Sequence, residues 1–297
     1  MTVKRDETTK LLGEFGFEIK EWVSNKCELG RVKEDAKVLG LSWNAVKDIV
    51  SVKIKRNQNV AAFTKRTILR SVAEVWDPLG ILVGVALVGR IIFQVVVRMK
   101  LNWNEEIHDM ELAEKWKNWL LELKQCEHIC VPRSILPEKD AVSRNFKLIG
   151  FSDGSSVAYG CTVYIRWYDK QEKNIDVKFI GAKSKLNPIR GTTIPRAELC
   201  GAFLLSRLVH ATEMAIRNTD IRDNCKGKVL YTDSTTVLSW IKSASIKYKP
   251  FVKNKIIEIQ ELHPIHVWRY VPSKENVSAD LVSKGCKYED IKKSIKS

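Results

Sequence analysis

Phe151-Ser152-Asp153-Gly154-Ser155-Ser156-Val157-Ala158-Tyr159-Gly160 is the stretch on which the fold turns. An apolar run over residues 146–151 delivers one carboxylate, Asp153, into a turn of small residues, and the chain resumes as a second strand-like run over 159–168. Taken alone, Asp153 reads as an ordinary turn aspartate. Three more carboxylates in comparable settings, Glu198, Asp233 and Asp280, change its weight.

Glu198 lies in Ile194-Pro195-Arg196-Ala197-Glu198-Leu199, where Pro195 suits the first turn of a helix. A glutamate one turn into an apolar helix is paired, here with Arg196 or Arg207, exposed near the helix N-terminus, or metal-bound. Asp233 ends Val229-Leu230-Tyr231-Thr232-Asp233-Ser234. A carboxylate between a strand and a helix marks either a ligand site at the carboxyl end of the strand or an N-cap, by Asp233 or by Ser234. Asp280 follows the polar loop 272–276, and by itself reads as a capping or surface residue. Together the four acids match a chemical need. Phosphodiester hydrolysis requires an activated water and a stabilised leaving oxygen, which two Mg²⁺ or Mn²⁺ ions about 3.5–4 Å apart supply. Carboxylate oxygens are the ligands Mg²⁺ prefers, and four of them crowded without metal repel one another.

The surrounding pattern predicts strands over 146–153, 159–168 and 176–182, a helix over 195–216, a strand over 228–233, helices over 235–242 and 251–262, a strand over 266–271 and a short helix over 278–283. Strands in a meander, then strands alternating with helices, make a mixed α/β sheet. Upstream, a helix from 65 stops at Asp77-Pro78-Leu79-Gly80, because Pro and Gly both break helices. A second, apolar helix runs to about 99. Asp109 caps a third, whose Leu112, Trp116, Leu120 and Leu123 recur at helical spacing. Residues 131–140 read as a polar linker, with a domain boundary near 143. Residues 1–60 read as a short helix over 8–15, a strand over 17–23, and a hairpin of 36–43 with 49–54.

The formal charge is +15 over 297 residues. Residues 1–150 carry 25 Lys and Arg against 20 Asp and Glu, and residues 151–297 carry 25 against 15. The excess therefore sits mostly in the second half, and a basic surface suits a phosphate backbone. Lys53, Lys55, Arg56, Lys65, Arg66 and Arg70 crowd residues 51–70 with no acid among them. Such a run is either a solvated face or a nucleic-acid contact. The seven cysteines include no C-x-x-C pair. Cys126 and Cys130 with His128 between them lack a matching second pair and read as a helix end rather than a zinc half-site. This usage fits a reducing compartment, cytoplasmic or nuclear. No signal peptide opens the chain, and the apolar stretch 79–97, interrupted by Arg90 and Gln94, reads as a buried helix, so no membrane partner is expected.

In order and spacing, Phe151-Ser-Asp-Gly-Ser, Ile194-Pro-Arg-Ala-Glu-Leu, Tyr231-Thr-Asp-Ser-Thr-Thr-Val and Trp268-Arg-Tyr-Val-Pro-Ser-Lys-Glu-Asn with Ala279-Asp-Leu-Val-Ser-Lys-Gly resemble the ribonuclease H domain of retroelement reverse transcriptases. Lys37-Val-Leu-Gly-Leu-Ser-Trp, Lys65-Arg-Thr-Ile-Leu, Trp76-Asp-Pro-Leu-Gly-Ile-Leu and Leu101-Asn-Trp narrow it to BEL/Pao long-terminal-repeat retrotransposons. The resemblance implies a ribonuclease H-like five-stranded mixed sheet with flanking helices, preceded by a smaller, mostly helical connection. It divides the chain into a polymerase remnant (1–60), the connection (61–142) and the ribonuclease H-like domain (143–297). It implies a metal-dependent hydrolase of the RNA strand in RNA–DNA hybrids, with Asp153, Glu198, Asp233 and Asp280 holding two Mg²⁺ or Mn²⁺ ions. The partners it implies are the hybrid or another nucleic acid and the remaining polymerase and integrase domains of a polyprotein. Ser155 and Ser234, beside two of the acids, and Lys53, Lys55, Arg56, Lys65 and Arg66 are the candidate nucleic-acid contacts. The alternative is a binding remnant with weak or no catalysis, because the loop before Asp280 lacks the histidine that many ribonucleases H carry there. An aspartic peptidase is not expected, since the chain has no Asp-Ser/Thr-Gly turn, and neither is polymerase activity, since the paired polymerase aspartates are absent.

Overall fold

A computed structural model of the chain describes residues 2–54, 62–137 and 143–296. The candidate contacts Lys55 and Arg56 lie outside them, as does the expected division at 60/61. The first elements are helix α1 (Thr2–Glu14), strands β1 (Ala36–Val38), β2 (Leu41–Asn44) and β3 (Ile49–Val52), and helices α2 (Lys65–Ala73), α3 (Val83–Arg98) and α4 (Met110–Gln125). Strand β4 (Cys130–Pro132) follows. The second sheet and its helices are β5 (Asn145–Gly154), β6 (Ala158–Tyr168), β7 (Ile175–Leu186), α5 (Ile194–Arg217), β8 (Cys225–Thr232), α6 (Thr235–Lys242), α7 (Pro250–Leu262), β9 (Trp268–Tyr270), α8 (Val277–Lys284) and α9 (Tyr288–Lys296).

The five-stranded sheet has the order β7-β6-β5-β8-β9. Strands β5, β6 and β7 form an antiparallel meander, while β8 and β9 run parallel to β5. The parallel strands all end at one edge, where Asp153 and Asp233 emerge. Helix α5 is long and apolar enough to cross a membrane by length and composition. It lies against the sheet instead, with Leu199, Ala202, Leu205 and Val209 fully buried in the same core as Phe146, Leu148, Val163 and Trp268.

The first region differs from its expected form in three places. Residues 17–23 make no strand, only a bridge between Val23 and Arg31. The segment 36–43 is broken by a turn at Leu39-Gly40, so the hairpin becomes a three-strand meander. Residues 130–132, read as the start of a linker, form β4 and pair with β3, because the apolar Val131 faces the same core as Val50. That core joins residues on both sides of the undescribed 55–61, from Trp43 and Val52 to Leu82, Trp116 and Val131. Asp109 caps α4 by accepting the Leu112 amide at 2.9 Å, and Cys126 closes that helix at its C-terminus.

Helix α3 runs along the edge strand β7. The polar residues that interrupt its apolar stretch are the ones that reach across. Arg90 donates to the Ser184 carbonyl (3.4 Å), Gln94 to Asn187 (2.8 Å) and Arg98 to Ile189 (3.5 Å). Their spacing of four places all three on one helix face. Just before the helix, the Leu79 carbonyl accepts the Ala182 amide at 2.8 Å. An edge whose backbone groups would otherwise stay unpaired is thereby covered.

Candidate active site

The four acids come from four elements that meet at one end of the sheet. Asp153 closes β5, Glu198 sits in the first turns of α5, Asp233 follows β8, and Asp280 lies on α8. Two glycines bring the first pair together. A side-chain carbon on Gly154 would stand 2.2 Å from the Glu198 amide nitrogen, and one on Gly201 would stand 2.5 Å from the Asp153 carbonyl oxygen. Only bare backbone permits this approach of strand and helix. Both glycines were visible in the sequence, but nothing local marked Gly201 as a contact with the strand 48 positions upstream.

Each acid has a distinct environment. Asp153 is 5% exposed and accepts a hydrogen bond from the Ser283 hydroxyl of α8. Burial pushes its carboxyl upward, Ser283 opposes this, and the negative charges of Asp233 and Asp280 add to the rise. Glu198 accepts from the Ser234 hydroxyl at 2.6 Å. Burial pushes it upward too, and Asp233 and Asp153 add to the effect against the Ser234 bond. Glu198 pairs with neither arginine considered above: Arg207 pairs with Glu258, and Arg196 lies over the Phe251 ring. Ser234, not Asp233, caps α6 by accepting the Val237 amide at 3.1 Å. The Asp233 carboxylate is therefore not used in capping, and its Oδ1 is buried with no hydrogen-bond partner. Asp280 pairs with Lys284 one turn on, at 2.8 Å. That hydrogen bond raises the Lys284 pKa, with Asp153 and Asp233 contributing at longer range.

The candidate nucleic-acid contacts are placed as follows. The Ser155 hydroxyl donates to the Ser283 carbonyl at 2.7 Å and accepts the amides of Val157 and Ala158. With Ser234 buried and bonded to Glu198, both serine hydroxyls are engaged within the fold. Lys65 donates to the Leu101 carbonyl at 2.6 Å and lies over the Trp103 ring, and Arg66 donates to Asn104 at 2.7 Å. Lys53 is exposed beyond β3. The basic candidates belong to the first region, and the acids to the second.

The donor set suits a divalent cation. All four groups offer hard oxygens, the buried Asp233 Oδ1 lacks a partner, and after burial the neighbouring negative charges further raise the proton affinity of Asp153 and Glu198. Among the described residues, however, no three Asp, Glu, His or Cys side chains already close around a common point. Ser283, Ser234 and Lys284 hold three of the four acids instead.

Of the histidines in the second half, His263 is fully buried and its Nε2 lies 2.8 Å from the Ser206 carbonyl. Burial lowers its pKa, and its contacts are with α5 rather than with the acids.

The strand order, with acids gathered where the parallel strands end, defines a ribonuclease H-like domain. A family model described as the Pao retrotransposon-like RNaseH-like domain matches residues 64–234, more than half of the chain, and the chain belongs to that family. The matched segment runs from the N-cap of α2 to the N-cap of α6, so it holds Asp153, Glu198 and Asp233 but not Asp280. No curated protein matches the chain. Similar solved structures include RNase H1 from the halophilic archaeon Halobacterium salinarum NRC-1, at 16% identity and a TM-score of 0.29 over 46% of this chain and 95% of that one. LC11-RNase H1 in complex with an RNA/DNA hybrid is 16% identical at a TM-score of 0.31, over 50% and 99% of the two chains. A foamy viral protease-reverse transcriptase in complex with dsDNA is 15% identical at a TM-score of 0.23; the match covers 84% of this chain and 46% of the viral one.

Proposed function

We propose that this protein is a metal-dependent ribonuclease that cuts the RNA strand of an RNA–DNA hybrid, with Asp153, Glu198, Asp233 and Asp280 holding two Mg²⁺ or Mn²⁺ ions. The observation that carries the reading is the buried, unpartnered Oδ1 of Asp233 beside acids that repel it. A cation relieves both costs at once. Bound divalent ions supply an activated water and neutralise charge on the leaving oxygen. The chain's own groups do the positioning. Ser234 orients Glu198 while capping α6, and Ser283 ties Asp153 to the helix that carries Asp280. Lys284 offsets the charge of Asp280. The excess of basic residues supplies a sequence-independent attraction to phosphates. Preference for RNA comes from 2′-hydroxyl groups across the wide minor groove.

A second reading, a binding protein without catalysis, is favoured by the protein partners already on three of the acids. One experiment separates the two: a labelled RNA–DNA hybrid incubated with the wild type and with Asp233→Asn, first in Mg²⁺ and then in Mn²⁺. The first reading expects RNA-strand cleavage that falls at least about 100-fold in the variant. Steeply salt-dependent hybrid binding with no cleavage by folded wild type selects the second.

A further inference from the structure

We infer that helix α3 of the first region is a built-in wall of the candidate active site, with Gly84 as a positioning residue for Asp280. The inference rests on the carboxylate reading above and adds an element that no acid belongs to.

Helix α8 carries Ser283, whose hydroxyl donates to Asp153, and Asp280, whose charge is felt there. Its other side is clamped. Val282 meets β6 at Gly160, where an added side-chain carbon would stand 2.6 Å from the valine methyl. Val282 also shares a small buried cluster with Val83 of α3 and Ala182 of β7. One residue on, the backbone of α3 comes into direct contact. A side-chain carbon at Gly84 would stand 2.7 Å from the Leu281 carbonyl oxygen and 2.5 Å from the Cys286 sulfur. The Gly84 carbonyl accepts the Cys286 amide at 3.4 Å. Beyond it, Cys286 and Ile291 are buried in the core of the first region, and the Tyr288 amide donates to Glu122 of α4 at 2.8 Å.

Leu281 and Asp280 are adjacent on α8. Any push at the Leu281 carbonyl therefore moves the turn that presents Asp280. The same helix α3 holds the approach to Glu198, because Gln94 and Arg98 bond the carbonyls of Asn187 and Ile189 ahead of α5. One helix thus constrains the segments that deliver two of the acids, Glu198 and Asp280, from separate helices. Rigid support behind a constellation is what keeps its geometry within tolerance. A packed contact of this kind shifts as a unit when bulk is inserted.

The test uses the full chain, with Gly84→Val and the milder Gly84→Ala. Backbone hydrogen exchange is read in two peptides, 277–286 over α8 and 146–168 over β5 and β6. The expected result is at least about tenfold faster exchange in 277–286 with 146–168 unchanged. Where Gly84→Val also releases 146–168, the same criterion is applied to Gly84→Ala. Unchanged exchange in 277–286 in both variants overturns the inference whether or not the protein cleaves hybrid. In a wild type that cleaves, kcat is expected to fall at least tenfold with KM for hybrid within about twofold, and Mn²⁺ affinity to fall in parallel. Loosened α8 with wild-type kcat and Mn²⁺ affinity overturns it equally. Absence of cleavage and of Mn²⁺ binding in the wild type defeats the carboxylate reading instead, and leaves the exchange result to decide the clamp.

Discussion

Two half-buried aspartates, one in each region, show how differently the same side chain is used. Asp77, in the turn before α3, is saturated: its carboxylate accepts the amides of Gly80 (2.9 Å), Ile81 (2.9 Å) and Leu82 (2.7 Å). Burial still pushes its pKa upward against those three bonds. Asp233, at the end of β8, keeps a buried oxygen with no partner and stands among other acids. The first is a structural carboxylate that satisfies amides leading into a helix, among them those of Ile81 and Leu82, which precede the intrahelical bonds. The second, a candidate site residue, costs stability as it stands.

The comparison breaks most visibly at Asp77. Asp77→Ala leaves the Ile81 and Leu82 amides unsatisfied, while the Gly80 amide keeps its bond to the carbonyl of residue 77, and is expected to destabilise the fold by about 3 kcal/mol, measured by urea unfolding. A loss below about 1 kcal/mol removes the distinction drawn here.

The next effect is smaller and depends on pH. Glu198 has a raised pKa in the folded state, first through burial. The folded form then holds its proton more tightly than the unfolded one, so this group favours folding below the ordinary carboxylate range. That advantage is lost as pH rises through the range, about 4–5 and above. Glu198→Gln removes the effect. Its stability relative to wild type is therefore expected to climb between pH 4 and 7. Thermal unfolding of both proteins across that range checks it, and parallel curves contradict it. Differencing the two proteins cancels acids whose pKa is lowered elsewhere, such as Asp48 beside Arg133 and Glu21 beside Lys33.

The smallest effect is expected at Lys284, whose side chain is exposed. Lys284→Ala should change stability by no more than about 0.5 kcal/mol. Because it removes a cation held close to Asp280, Mn²⁺ titration should show tighter binding, by a few fold. Weaker binding in this variant means that Lys284 supports the site rather than competing with a metal ion.

The elements of the second region were legible because each rests on a local pattern. Alternation and apolar runs mark β5, β6 and β8, Pro195 marks the first turn of α5, and strand-then-acid marks Asp153 and Asp233. The weakest readings lay where local pattern and tertiary pairing disagree. Residues 17–23 alternate yet find no strand partner, while the three-residue β4 looked like loop until β3 paired with it. Helix α9 has no such local pattern, because its anchor, Ile291, packs in a core built by residues far earlier in the chain.

The sequence by itself determined the four candidate acids, the strands and helices that carry them, and the family to which the chain belongs. These are properties of short motifs and their order. Tertiary structure alone decided what each acid touches: Ser283 for Asp153, Ser234 for Glu198, Lys284 for Asp280 and nothing for one oxygen of Asp233. It also decided that Arg90 and Gln94, which look like flaws in an apolar helix, bond a strand edge more than 90 positions away. The physical reason is the same in each case. Helix and strand formation depends on neighbours along the chain, whereas the partner of a buried polar group is set by whichever backbone or side chain packing brings within about 3 Å.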